Sequence, residues 1–154
     1  MSIFAKLREG VSTSSAAETQ ALGLELARAL PAESTLALHG DLGVGKTTFV
    51  QGLARGFGIR VSVTSPTFTI FNLYRGENTT ALIHLDAYRL ENARQIDSLM
   101  LEDFLTTPYC LAVEWPERIA EWLPAETIHL RLGIENELTH WVRSGAPDDL
   151  KFEI

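Results

Sequence analysis

Cysteine is almost missing from this chain: only Cys110 is present, and it sits inside an apolar run. A disulfide framework is therefore excluded and a reducing compartment is expected, with Cys110 read as a small buried hydrophobe. Long apolar runs are missing too. No stretch approaches the roughly 18 residues of a membrane span, and Met1 to Gly10 has no apolar segment of the secretory kind. No membrane association is expected, and the cytoplasm is the expected location. Positive charge is scarce: 13 Lys and Arg stand against 20 Asp and Glu, a net charge of −7. Such a chain is not built to grip a phosphate backbone over a wide surface, so a nucleic acid would be handled through a partner. No internal repeat or low-complexity tract is visible. At 154 residues and 45% hydrophobic, the chain buries one core, which makes residues 1–154 one domain and leaves no length for a second catalytic one.

What is present is a phosphate-binding loop, Gly40-Asp41-Leu42-Gly43-Val44-Gly45-Lys46-Thr47, followed by Thr48. It lies between an apolar run ending at His39 and an amphipathic run beginning at Thr47, the strand-loop-helix setting that the GxxxxGK[ST] mechanism requires. Gly40, Gly43 and Gly45 let the backbone curl so that successive N–H groups of the loop point at phosphate oxygens. The following helix adds its partial positive end. Lys46 reaches the β and γ phosphates as a point charge, and the Thr47 hydroxyl is suited to the accompanying Mg2+. No asparagine is followed by lysine, so the NKxD element that reads guanine is absent and ATP is the expected nucleotide.

The remaining pattern is that of an α/β chain. Ile3 to about Val11 reads as an edge strand. Ser15 and Glu18 form a capping box before Leu22, Leu26, Ala29 and Leu30, a helix that ends at Pro31. Thr35 to His39 is the strand entering the loop. Phe49, Val50, Leu53, Ala54 and Phe57 give the next helix its buried face, with Gly58 as C-cap. The runs Phe68–Tyr74, Ala81–Leu85 and Cys110–Val113 suit strands buried on both faces. In the segment Glu91 to Leu105, Ile96, Leu99, Met100 and Phe104 suggest a helix, with Met100 packed. Thr127–Ile134, Leu138–Arg143 and Leu150–Ile154 read as antiparallel strands.

Two of the buried runs end in acids, Asp86 and Glu114. If both strands run parallel to Thr35–His39, their carboxyl ends open on the crevice where such sheets bind ligands. Glu114 is the first candidate for the metal shell, and Asp86 for the metal shell or the attacking water; the reverse assignment stays open, as does helix capping or pairing with Arg89 or Arg118. His84 shares the face of Asp86 and reads as a core histidine with a hydrogen-bonded ring. Arg89 is either a phosphate-charge stabiliser or a surface ion pair. In Thr64-Ser65-Pro66-Thr67, Thr67 is the candidate switch ligand for the γ-phosphate and its metal. Trp115 either stacks on the base or packs in the core.

Taken together, the loop, Ser65-Pro66-Thr67-Phe68, His84-Leu85-Asp86-Ala87-Tyr88-Arg89 and Glu114-Trp115-Pro116 resemble the bacterial TsaE (YjeE-type) ATPase family over roughly Ser15 to Leu123. The resemblance implies a small P-loop ATPase of three-layer fold, its central sheet mostly parallel with antiparallel C-terminal strands. It implies action with TsaB and TsaD proteins in the synthesis of threonylcarbamoyladenosine in transfer RNA. It also assigns nucleotide, metal and activity roles to Lys46, Thr47, Asp86, Glu114 and Trp115. Two alternatives share the loop: a small-molecule or nucleoside kinase, for which Arg94 alone between Glu91 and Pro108 makes a poor lid, and a nucleotide-sensing adaptor that does not hydrolyse ATP.

Overall fold

The computed structural model describes residues 1–66, 70–76 and 80–145. In chain order the elements are α1 (Ile3–Glu9), β1 (Val11–Thr13), α2 (Ala16–Ala29), β2 (Glu33–His39), α3 (Lys46–Gly56), β3 (Phe71–Arg75), β4 (Ala81–Asp86), α4 (Gln95–Ser98), β5 (Tyr109–Glu114), β6 (Ile128–Asn136) and β7 (Thr139–Ser144). Short 3-10 turns at Leu101–Phe104 and Pro116–Ile119 flank β5. The strands form one seven-stranded sheet in the order β1-β7-β6-β2-β5-β4-β3. Its centre, β6-β2-β5-β4, is parallel, and both margins are antiparallel.

Side-chain alternation divides the core into two layers. Leu36, Leu38, Leu82, Cys110 and Ala112 lie against Phe49, Val50 and Leu53 of α3, while Ile83, Leu85, Leu111 and Val113 pack with Leu90, Ile96, Leu101 and Ile119 on the other face. These β2, β4 and β5 residues are buried throughout, as strands covered on both faces require. Burial of the Cys110 thiol pushes its pKa up to about 12, so it is an inert packing group.

Several elements differ from the sequence reading. Ile3 to Glu9 is a helix: Ser2 Oγ accepts from Ala5 N–H, Gly10 stops it at φ +92°, and Ile3 and Leu7, four apart, share its buried side. The edge strand is the shorter β1 that follows. Of the run Phe68–Tyr74, the strand is Phe71–Arg75, a half-buried edge strand antiparallel to β4 rather than a strand buried on both faces. Between Glu91 and Leu105 only four residues are α-helical, because Asn92 and Gln95 side chains bind the N–H groups of Arg94 and Glu91 and offer the backbone local alternatives. Met100 is exposed, at φ +51°, and does not pack in the core. The strand Ile128–Asn136 is antiparallel to β7 but parallel to β2. Leu150–Ile154 and Thr67 lie outside the described residues.

Ser15 caps α2, its Oγ accepting from Glu18 N–H at 3.1 Å, while Glu18 Oε2 accepts from the N–H of Ser14, the residue before the cap, at 3.2 Å. Gly58, at φ +77° just beyond the C-cap of α3, closes that helix. α2 crosses α3 at a small-residue contact, where a Cβ on Gly52 would come within 2.1 Å of Gln20 O and one on Gly23 within 2.4 Å of Phe49 O. The close approach sets the distance between the N-terminus of α2 and the loop that starts α3. Alanine in a helix ordinarily gains about 1 kcal/mol over glycine; here backbone overlap outweighs it. Gly52→Ala is expected to lower stability by roughly 1–3 kcal/mol in urea unfolding, and an unchanged or raised stability would refute this packing.

At the carboxyl end of β2, His39 Nε2 meets His129 Nδ1 at 2.9 Å. Burial, then His129, Arg131 and Lys46, pull the His39 pKa down to about 4. A histidine that stays neutral when folded but protonates near its ordinary value when unfolded contributes stability that is lost as pH falls from about 6.5 toward 4. His39→Asn should flatten the fall of melting temperature across that window; parallel curves for the two proteins would contradict it.

Candidate functional site

The parallel register fixes the site. Glu114 stands opposite Leu38 of β2 and opposite Asp86 of β4, so both acids end their strands beside the turn that leaves β2. That turn is the glycine-rich loop. Gly40, Gly43 and Gly45 have φ of +143°, +82° and +103°, conformations that side-chain-bearing residues rarely adopt. At Gly40 a Cβ would also meet Leu132 O at 2.5 Å. Val44 is buried beneath the loop, and its carbonyl accepts from His140 Nδ1 of β7 at 3.0 Å. The antiparallel margin thus braces the loop from below.

Lys46, in the first turn of α3, is buried. Its ammonium donates to Gly40 O at 2.7 Å and lies 3.9 Å from the Trp115 ring centroid, a cation–π contact. Burial lowers its pKa, while Glu114, Glu117, Asp86 and Asp41 oppose that shift. Thr47 Oγ1 donates to Glu114 Oε2 at 3.3 Å. Asp86 accepts from the Tyr88 N–H through Oδ1 at 2.9 Å, which fixes its rotamer at the strand end. Trp115, at φ +56°, packs against the Tyr88 ring at 5.1 Å, with Arg118 over the far partner at 5.6 Å.

These groups surround one cavity of about 840 Å³. Leu42, Gly43, Gly45, Lys46, Thr47, Thr48, Asp86, Glu114 and Trp115 all line it. Asp41 is exposed on the loop and Val44 supports it from beneath; neither lines the cavity. Arg89 does not line it either. Trp115 is half-buried between Lys46 and Tyr88, open to the cavity and still packed.

Sequence reasoning missed a second wall. Ser14, Ser15 and Thr19 from the start of α2 line the same cavity together with Glu137, Leu138 and His140 from the β6–β7 hairpin. Ser15 carried a signal, but one for helix capping, and the hairpin tip carried none. Leu42, Leu138 and Tyr88 leave exposed apolar surface at the rim.

The donor set suits a hard cation. It comprises the Thr47 hydroxyl and the Glu114 and Asp86 carboxylates, oxygen ligands of the kind Mg2+ prefers. Among the described residues no cluster of three or more His, Cys, Asp or Glu would hold a metal alone. No helix among the described residues is long and apolar enough to cross a membrane.

The family model described as threonylcarbamoyl adenosine biosynthesis protein TsaE matches residues 13–142. The tRNA threonylcarbamoyladenosine biosynthesis protein TsaE of Synechocystis sp. is 46% identical over 112 residues, 70% of this chain and 69% of that protein. The protein of the same name from Treponema pallidum is 38% identical over 120 residues, 78% of this chain and 87% of the relative. The crystal structure of YdiB from Bacillus subtilis superposes with a TM-score of 0.71 at 33% identity, covering 86% of this chain and 81% of that one. The loop joining β2 to α3 and the parallel strand tips beside it are thus a P-loop fold, and the chain belongs to the TsaE family of threonylcarbamoyladenosine biosynthesis proteins.

Proposed function

We propose that the chain is a one-domain Mg2+-dependent ATPase that turns over slowly by itself and acts, in the cytoplasm, on a complex of TsaB and TsaD proteins during threonylcarbamoyladenosine modification of tRNA. The observation that carries this reading is the convergence of the glycine-rich loop, Lys46, Thr47, Asp86 and Glu114 on one cavity. The partners and the tRNA enter through the family; a net charge of −7 favours the nucleic acid being held by the partners.

Residue roles follow from chemistry. The loop amides and the N-terminus of α3 hold phosphate oxygens. Lys46 has three donors, of which Gly40 O uses one, so the ammonium can serve the β and γ phosphates without leaving the loop. Thr47 and Glu114 would hold a Mg2+ ion, which would supply neutralisation of phosphate charge. Asp86, fixed by the Tyr88 N–H, is the candidate to orient the attacking water, and Thr67 the candidate to sense the γ-phosphate. Phosphoryl transfer depends mainly on positioning and charge. A site that awaits groups from a partner is therefore slow.

Calorimetry should show ATP binding that GTP does not displace at equal concentration, and Lys46→Ala should weaken it about tenfold to a hundredfold, the value of a charge-assisted contact. Unchanged affinity would contradict the role of Lys46. Phosphate release should run at roughly 10⁻⁴ to 10⁻² s⁻¹, cease with EDTA and rise with TsaB and TsaD. Rapid release indifferent to the partners, ATP left intact with the full partner set, or label transferred to a metabolite would each overturn the ATPase reading.

A further inference from the structure

His84 is fully buried on β4, in register with Ala112 of β5 and therefore diagonal to Glu114. Its Nε2 lies 2.5 Å from Glu114 Oε2, the same oxygen that accepts from Thr47 Oγ1. Glu114 is itself only 5% exposed. A buried carboxylate with two protein contacts on one oxygen cannot rotate without losing both, while its second oxygen carries neither. The other imidazole nitrogen, Nδ1, is buried without a hydrogen-bond partner among the described residues. A hydrogen on Nε2 leaves that orphan as a bare acceptor; a hydrogen on Nδ1 would bury an unmet donor and remove the one that Glu114 needs.

From this geometry we infer that His84 is a positioning residue: by donating from Nε2 to Oε2 it holds the Glu114 carboxylate in the orientation in which the acid, with Thr47, receives a divalent cation. The inference rests on the reading that Mg·ATP binds here. A packing histidine would need no short contact to a carboxylate at the head of α3, and an apolar side chain of similar size would fill its space without an orphaned nitrogen. Hydrogen bonds to a ligating carboxylate tune its affinity for metal, and their loss ordinarily costs about tenfold to a hundredfold.

The test separates metal from nucleotide. Mn2+ binding to the ADP-loaded chain, read by electron paramagnetic resonance, should weaken about tenfold to a hundredfold in His84→Phe. ADP affinity in EDTA should stay within about twofold, since the loop amides and Lys46 are untouched. His84→Gln, which can offer an N–H at similar reach, should recover much of the Mn2+ affinity. A folded His84→Phe with native Mn2+ affinity would overturn the inference, as would equal losses with and without metal. Should the variants not fold, ¹⁵N spectra of the native chain decide: hydrogen on Nε2 supports the inference and hydrogen on Nδ1 alone refutes it. If the native chain binds no Mn·ADP at all, it is the nucleotide reading that fails instead.

Discussion

The parallel register of β4, β5 and β2 is the constraint on which the site depends. It aligns Asp86 with Glu114 and Glu114 with Leu38, one residue before β2 ends at His39. Three strands thus finish at one level, and the turn that leaves β2 has both carboxylates beside it. A slip of one residue in β5 would move Glu114 to the opposite face of the sheet, away from α3. The apolar alternation of Cys110, Ala112 and Leu111, Val113 between two cores makes that slip expensive, because every buried side chain would change face.

The site holds opposing charges in little space. Lys46 is buried beside two acids and an aromatic face, and its desolvation, which lowers its pKa, is opposed only in part by Glu114, Glu117, Asp86 and Asp41. Glu114 in turn is held by a hydroxyl and an imidazole. Arrangements of this kind are costly unless each group is paired. Here Lys46 is met by Gly40 O and the Trp115 ring, and Glu114 by Thr47 and His84.

Much of this was legible in the sequence for identifiable reasons. The loop is readable because each of its positions has a separate physical demand, and Asp86 and Glu114 because each ends an apolar run; that both runs lie parallel to β2 is a condition the sequence left open and the register meets. The failures are equally specific. Ile3 to Glu9 is too short for its period to separate helix from strand, and the caps Ser2 and Gly10 decided the matter. The stretch around Gln95 has apolar residues at helical spacing, but side chains that bind nearby N–H groups limit the helix to one turn. The wall formed by Ser14, Thr19, Glu137 and His140 joins distant segments through β1–β7 pairing, a contact that no local motif encodes.

The central claim is that the loop and the acids beside it form one receptor for a triphosphate and its metal. A crystal structure with Mg2+ and a non-hydrolysable ATP analogue tests it most directly. The account predicts phosphates ringed by the amides of residues 43–47 and a cation between Thr47 and the Glu114 carboxylate. Crystals that leave the loop empty, or seat the metal away from both residues, would contradict it.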